Sequence, residues 1–194
     1  AIKSSYAINI ELTQQAEQSL SISTLSDYMP NVKTEVIDGE LRLYVTEKLI
    51  RPNITVKIGI DSLSKIEANS ASKIKFMTPF NLKTLNIDLN GASKSDINIG
   101  SAQKLNISIS GAGKLDAEGN VDSLLIDSNG ASKIDATNLR SKYVNIDLSG
   151  ASKAQVYATD EFKGDSNGAS SITCYGNPLK RTNSISGASK IDFK

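Results

Sequence analysis

Apolar and polar residues alternate one by one through much of this chain. Residues 85–89 (LNIDL), 105–109 (LNISI) and 144–148 (VNIDL) each place an apolar side chain at every second position. In a β-strand, successive side chains point to opposite faces, so this period of two is typical of a strand with one buried and one solvated face. The alternation predicts an all-β protein, and it also identifies which residues face the core.

A six-residue phrase follows each of these strands and recurs seven times over the C-terminal two-thirds of the chain. Its copies are NSASKI, NGASKS, SGAGKL, NGASKI, SGASKA, NGASSI and SGASKI, beginning at residues 69, 90, 110, 129, 149, 167 and 186. The second residue is Ser70 in the first copy, and successive copies are 21, 20, 19, 20, 18 and 19 residues apart. In the other six copies the second residue is Gly91, Gly111, Gly130, Gly150, Gly168 or Gly187. A repeat of about 20 residues is typical of structural units that stack and share one core.

Each period has room for one strand before the phrase, one strand after it and a return segment. The chain is therefore predicted to wind as a right-handed parallel β-helix, a solenoid with coils of about 20 residues. We expect the glycines of the phrase to be structural turns, with positive φ or a neighbouring coil too close for a side chain. The period of two also predicts inward serines at the bend, namely Ser72, Ser93, Ser132, Ser152, Ser170 and Ser189.

The return segments are expected to absorb the variation in repeat length. Residues 78–83, 118–123 and 175–180 contain glycine, proline or asparagine, which are signals of loops. The last two copies of the repeat are less regular than the others, and residues 185–194 are expected to form a final, partly capping coil.

Residues 1–60 lack the phrase, yet their pattern still indicates strands. Asp38-Gly39 separates two alternating runs, which is the signal of a tight β-hairpin. Residues 26–30 are expected to begin a single helical turn, and the whole segment to cap the N-terminal end of the core and shield its strand edges. We expect one domain over residues 1–194, with less regular strands at 1–60 and seven repeats at 61–194.

The composition of the chain argues against several classes of function. Lysine plus arginine (22) nearly equals aspartate plus glutamate (21), so nucleic acid is not expected as a partner. The chain has no histidine, which is the commonest general base and transition-metal ligand. No cofactor, metal or catalytic residue is therefore predicted. The single cysteine, Cys174, cannot form an intrachain disulfide and is expected to face inward as a small apolar side chain.

Charged residues recur at two outward positions after the bend. The first position holds Lys94, Lys114, Lys133 and Lys153, and the second holds Asp96, Asp116 and Asp135. Stacked coils would turn these residues into neighbouring ladders, which we interpret as the candidate ligand-contact site. The alternative is a solvated face on which lysine offsets aspartate, since exposed ion pairs contribute little to stability.

A second acidic position precedes the bend, at Glu67, Asp88, Asp127, Asp147 and Asp165. Calcium needs about six to eight oxygen ligands that converge on one point, whereas lysines lie between the acids here. We therefore expect no calcium site. The six tyrosines are scattered along the sequence and there is no tryptophan, so an aromatic platform for sugars is not expected either.

Three motifs together resemble a known bacterial family. AINIELTQ at residues 7–14, KTEVIDGELRLYV at 33–45 and the reiterated SGASKI phrase are similar to the auto-transporter adhesin family with a head GIN domain, common in Bacteroides-like organisms. The resemblance covers nearly the whole chain. It implies a right-handed β-helix, export to the cell surface or periplasm and a role in adhesion, and it brings no catalytic residues.

Neither a membrane-spanning segment nor a signal peptide is expected within residues 1–194. No apolar run is long enough to cross a bilayer, and residues 1–16 lack the basic start and apolar centre of a signal peptide. We therefore expect no transmembrane segment in this chain, and a targeting signal that lies outside residues 1–194.

The sequence thus predicts an exported cell-surface or periplasmic binding module without catalytic activity, whose partner is a glycan or a surface protein. Two alternatives stay open. A polysaccharide-active β-helix enzyme, either a lyase or a hydrolase, could work with two carboxylates alone, although each acid here recurs as a repeat position. A structural solenoid that self-assembles into homo-oligomers would also account for the repeat.

Overall fold

The computed structural model describes residues 1–50 and 53–194, and it is 71% strand. The first nine strands are β1 (Ile2–Ser4), β2 (Ile8–Gln14), β3 (Ser19–Ser23), β4 (Val32–Ile37), β5 (Glu40–Val45), β6 (Ile54–Ile60), β7 (Lys65–Ala68), β8 (Lys73–Phe76) and β9 (Phe80–Gly91). The others are β10 (Lys94–Gly111), β11 (Lys114–Gly130), β12 (Lys133–Gly150), β13 (Lys153–Ser166), β14 (Ser171–Tyr175), β15 (Lys180–Ile185) and β16 (Lys190–Phe193). A short 3₁₀ helix, Ser26–Asn31, lies between β3 and β4.

The strands wind as a β-solenoid of about six turns, with coils of about 20 residues. This confirms the fold that the repeat predicts. The bends stack directly, because Gly91 pairs in register with Gly111, Gly111 with Gly130 and Gly130 with Gly150. The seven phrases therefore mark seven stacked bends with six turns of chain between them, while the right-handed winding stays a prediction.

Two ladders of paired strands run along the solenoid and share the long strands β10 to β13. The first ladder follows the order β3, β6, β2, β8, β10, β11, β12, β13, β14, β16. The second follows the order β4, β5, β1, β7, β9, β10, β11, β12, β13, β15. Each long strand gives its first residues to the first ladder and its last residues to the second, because it bends between them.

The inward side chains of both ladders form one continuous apolar core, from Ile2 and Leu43 near the N-terminal end to Phe162 and Ile172 near the C-terminal end. The predicted inward serines are buried at Ser72, Ser93, Ser132, Ser152 and Ser170. Hydrogen bonds satisfy these hydroxyls: the Ser132 hydroxyl donates to Ser152 Oγ at 3.1 Å, for example. Ser189 is half-buried, because no further coil covers it.

The prediction of loops in the return segments is wrong for most of them. Residues 118–123 lie inside the continuous strand β11, and β9 already begins at Phe80. Small register shifts, such as the one between Asp116 and Glu118, absorb the difference in length while the backbone keeps pairing with the next coil. Residues 176–179, between β14 and β15, are a loop as expected.

The N-terminal segment closes its end of the core with antiparallel strands. The predicted hairpin is confirmed: β4 and β5 pair antiparallel around Asp38 (φ 49°) and Gly39 (φ 76°). The predicted helical turn is the 3₁₀ helix, and β3 pairs antiparallel with β6.

The C-terminal end is more open. Arg181 and Asn183 of β15 follow Phe162 and Gly164 in register, so they hold inward positions, but they are exposed because no coil covers them. The Arg181 guanidinium instead lies over the ring of Phe193, 4.5 Å from its centroid.

Candidate functional site

The lysines that the sequence assigns to one outward position lie in register on the first ladder. Lys94 pairs with Lys114, Lys114 with Lys133 and Lys133 with Lys153. We call Lys94, Lys114, Lys133 and Lys153 the lysine ladder. Adjacent strands are about 4.8 Å apart, so the Cα atoms of the four lysines form a row with that spacing along the solenoid axis.

The aspartates beside the lysine ladder are also aligned. Asp96 pairs with Asp116 and Asp116 with Asp135, two residues further along the same strands. Ion pairs form along the strands: Lys94 Nζ lies 3.5 Å from Asp96 Oδ1, and Lys114 Nζ lies 2.7 Å from Asp116 Oδ2. The hydrogen bond to Asp116 raises the pKa of Lys114, so this lysine stays charged.

Lys133 and Lys153 differ from the other two members of the lysine ladder. Next to Lys133, Asp135 bonds to Thr137 and not to the lysine. Its Oδ1 accepts hydrogen bonds from the Thr137 backbone N–H at 3.2 Å and from the Thr137 hydroxyl at 2.7 Å. Next to Lys153, the position of the aspartate holds the neutral Gln155. Within residues 1–50 and 53–194, neither lysine forms an ion pair, and both are exposed. The uncompensated positive charge is therefore concentrated at Lys133 and Lys153.

A shallow groove of about 320 Å³ runs beside the lysine ladder across successive coils. Its polar lining includes Lys75, Asp96, Asn98, Asp116, Glu118 and Asp135. The Asn98 side-chain amide donates to Glu118 Oε1 at 2.6 Å, which fixes both side chains at the rim. The groove is open, and its lining carries four carboxylates and one lysine, so an anionic ligand would contact the lysine ladder beside the groove and not the groove itself.

A second groove, of about 480 Å³, lies on another side of the solenoid and was missed by the sequence reasoning. Its lining includes Ser101, Gln103, Asn120, Asp122, Arg140 and Lys142. These residues come from the return segments, where shifts of register obscure the repeat. Lys142 Nζ pairs with Asp122 Oδ1 at 2.7 Å, so part of the charge in this groove is already neutralised.

Two of the tyrosines that look scattered in the sequence are neighbours in the structure. Tyr157 and Tyr175 pair in register on adjacent coils, and the Arg140 guanidinium lies 5.2 Å from the centroid of the Tyr157 ring. The expectation that the tyrosines are scattered is wrong for this pair. Their separation in sequence equals the local repeat interval from Gly150 to Gly168, and that spacing is the signal that could have revealed them.

The second acidic column also stacks in register, with Asp127 beside Asp147 and Asp147 beside Asp165. Partial burial raises the pKa of Asp147, and repulsion from Asp127 and Asp165 raises it further. The described part of the chain holds no group of three or more histidine, cysteine, aspartate or glutamate side chains placed to bind one metal ion.

The glycines of the repeated phrase allow neighbouring coils to stack closely at the bends. Gly111 has φ 114°, and a Cβ there would lie 2.7 Å from the carbonyl oxygen of Gly91. The Ala112 N–H donates to that same oxygen at 2.9 Å, so a side chain at Gly111 would disturb a hydrogen bond between coils.

Cys174 faces the core, as the sequence predicts, and burial raises the pKa of its thiol to about 11, which leaves it protonated and unreactive at neutral pH.

The amino-acid sequence also matches a known protein family. The family described as "Putative auto-transporter adhesin, head GIN domain" matches residues 1–178. The chain belongs to this family. The membership confirms the resemblance carried by the two N-terminal motifs and the repeated phrase.

Several solved structures are similar over the full length of the chain. A putative adhesin from Bacteroides fragilis shares 24% identity at a TM-score of 0.93, with 100% of this chain and 91% of that chain covered. A putative adhesin from Parabacteroides merdae shares 18% identity at a TM-score of 0.76, covering 100% and 90%. A putative lipid binding protein from Parabacteroides distasonis shares 18% identity at a TM-score of 0.77, covering 100% and 91%. These proteins share the fold.

No protein with a curated description is similar enough in sequence to match. Across residues 1–50 and 53–194, no helix has the length and hydropathy required to span a membrane.

Proposed function

We propose that this protein is an exported, cell-surface adhesion module that binds an anionic polysaccharide along its lysine ladder without cleaving it. The family supports an adhesive role. The observation that carries the proposal is the in-register row of Lys94, Lys114, Lys133 and Lys153, of which the last two have no acidic partner among the described residues.

A periodic row of cations suits a periodic row of anions. A linear polysaccharide with a carboxylate or sulfate on its sugars presents charges at regular intervals, and it would lie parallel to the solenoid axis. Each exposed lysine would contribute little alone, about 0.2–1 kcal/mol. Several such contacts on one polymer add up, because after the first contact the others form within the same complex.

The placement of the carboxylates argues against glycoside hydrolysis. Asp96, Asp116 and Asp135 lie side by side on one ladder instead of facing each other across a cleft. A hydrolase needs an acid and a second carboxylate on opposite sides of the scissile bond, and the acid needs a raised pKa. Asp147, whose pKa is raised, lies in a row of carboxylates on the second ladder and not across a cleft from another acid.

Binding to immobilised polygalacturonate, a linear carboxylated polymer, tests the proposal, with neutral dextran as the reference. Replacement of Lys94, Lys114, Lys133 and Lys153 together by glutamine should weaken binding by about tenfold or more, the sum of four modest contacts. The matched control replaces four exposed lysines elsewhere, Lys57, Lys83, Lys104 and Lys163, by glutamine and changes the net charge equally. It should weaken binding by about twofold at most.

Equal loss in both variants, equal binding to dextran, or no binding by the unmodified protein would contradict the proposal. Release of new reducing ends or unsaturated sugars from the polymer during the assay would favour the enzyme alternative.

A further inference from the structure

The expected shielding of strand edges holds only for β6 and β5, which β3 and β4 cover; the outer edges of β3 and β4 are themselves free, as are those of β15 and β16 at the other end. In the described residues, β3 pairs with β6 alone and β4 with β5 alone at the N-terminal end. At the C-terminal end, β16 pairs with β14 alone and β15 with β13 alone. The outer N–H and C=O groups of such strands are templates for another strand.

Exposed apolar side chains concentrate at the same two ends. Val36 of β4 is 70% exposed and Leu179, just before β15, is 91% exposed. Further large apolar side chains that are exposed at the ends are Leu20, Leu25, Met29, Ile37 and Ile185. Along the sides of the solenoid such residues are fewer, namely Met77, Leu125 and Tyr143. An apolar patch beside a free edge is typical of a surface that becomes covered.

The two ends carry opposite charge. Residues 17–48, which contain β3, the 3₁₀ helix, β4 and β5, hold six acidic side chains and three basic ones. Residues 176–194, which contain β15 and β16, hold four basic side chains and one acidic one. Contact between two like ends is therefore repulsive, whereas contact between unlike ends is attractive.

We propose that copies of this protein associate head to tail, with the acidic N-terminal end of one copy on the basic C-terminal end of the next. The strand order fits this contact, since β3 begins the first ladder and β16 ends it, while β4 begins the second ladder and β15 ends it. Both junctions are antiparallel, because β3 and β4 run opposite to their neighbours β6 and β5.

A contact between two different surfaces of the same molecule does not close on itself unless the copies form a ring. Association therefore yields open chains that lengthen with concentration. In such a chain of copies, both strand ladders continue from one copy to the next, and the lysine ladders of successive copies lie in line. The inference holds whether or not the protein binds a polysaccharide.

Two blocking variants, measured by sedimentation velocity over a range of concentrations, test this contact. Val36→Lys places a cation on the acidic end, where it would meet the basic end of another copy. Leu179→Glu places an anion on the basic end, where it would meet an acidic end. The unmodified protein should give sedimentation coefficients that rise with concentration and fall when salt is added. Each variant alone should sediment as a monomer.

The decisive sample is an equimolar mixture of the two variants. Val36→Lys keeps its C-terminal end and Leu179→Glu keeps its N-terminal end, so the mixture should form dimers and nothing larger. Met77→Lys, at an exposed residue on the side of the solenoid, is the matched control and should associate like the unmodified protein. Circular dichroism shows whether each variant keeps its fold.

Monomers of the unmodified protein at every concentration would overturn the inference, as would a dimer that stops growing. A mixture of the two variants that stays monomeric, or a Met77→Lys variant that fails to associate, would overturn it too.

Discussion

At the scale of single residues, six of the seven bends use glycine, for two separate reasons; the first bend has Ser70, at φ 72°. Gly168 has φ 83°, and a Cβ there would lie 2.6 Å from the carbonyl oxygen of Gly150 in the coil before it. Gly39, in the hairpin, has a similar φ of 76° but no heavy atom within 4 Å of the same hypothetical atom. Comparing substitutions at Gly39 and Gly168 therefore separates the effect of backbone conformation on stability from the effect of close stacking.

Gly39→Ala is expected to lower the free energy of unfolding by about 1–2 kcal/mol, the usual cost of a left-handed conformation. Gly168→Ala should lose about 1–3 kcal/mol more, because the added methyl group must also displace the neighbouring coil. Urea denaturation of both variants measures the difference. Equal losses would mean that the coils are not stacked as closely as described.

Two carboxylates make the stability of the protein depend on pH in opposite directions. The ion pair with Lys3, assisted by Asn69 and Lys65, lowers the pKa of Glu67 to about 2, whereas burial and like charges raise the pKa of Asp147. A lowered pKa means that ionised Glu67 stabilises the fold, and this contribution disappears as the pH falls from about 4.5 towards 2. Ionised Asp147 destabilises the fold, and protonation relieves that effect.

Glu67→Gln should therefore be less stable than the unmodified protein at pH 7, with a difference that shrinks as the pH falls below 4.5. Asp147→Asn should be more stable at pH 7, and its advantage should also shrink in acid. Thermal unfolding across this pH range is the measurement. Shifts of the same sign for both variants at pH 7 would contradict these assignments.

At the scale of strands, a ladder of asparagines on the outer surface is interrupted by one apolar residue. Asn106 Nδ2 donates to Asn86 Oδ1 at 2.7 Å, but Asn106 Oδ1 is buried and has no hydrogen-bond partner. The next residue in register is Leu125, and Asn145 follows it. The apolar side chain thus leaves one acceptor unsatisfied.

Leu125→Asn should complete this ladder and raise the free energy of unfolding by about 0.5–1.5 kcal/mol, since it supplies the missing donor to Asn106. Leu125→Ala removes the same apolar group without supplying a donor and is the control, which should be neutral or destabilising. Chemical denaturation distinguishes the two variants, and a stabilised alanine variant would show that the missing donor is not the cause.

The same scale shows how far the sequence can predict the fold. Most positions of the phrase recur because each coil needs the same chemistry at the bend, so the in-register glycines, buried serines and lysine ladder follow from the sequence. The third copy holds Gly113 in place of a serine, since a Cβ there would lie 2.6 Å from Ile109 Cγ2. That exchange between neighbouring side chains is visible only in the packing.

The return segments could not be predicted because their residues do not repeat. Gly119 and Asn120 are turn formers, yet they pair with Leu139 and Arg140 inside long strands, since a backbone that bends can still bond to the coil above it. The second groove depends on these shifted registers, whereas the Tyr157–Tyr175 pair keeps the unshifted repeat interval. A sequence pattern identifies which residues face outward but not which of them share a groove across a bend.

At the scale of the whole molecule, the repeat builds a rod with different sides and different ends. One side carries the lysine ladder, another carries the groove around Arg140, and the two ends are oppositely charged. Contacts spread along a rod of this kind favour long ligands and long assemblies over small molecules held in one pocket.

The central claim is that the lysine ladder contacts the polysaccharide, and the most direct measurement observes the lysines themselves. Reductive methylation with ¹³C-labelled methyl groups keeps each lysine charged and gives each its own NMR signal, which can then be followed as oligogalacturonate is added. Lys94, Lys114, Lys133 and Lys153 should show the largest shifts, with Lys133 and Lys153 foremost because they lack acidic partners in the described structure. Shifts centred on Lys142 in the other groove, or spread evenly over all lysines, would contradict the claim.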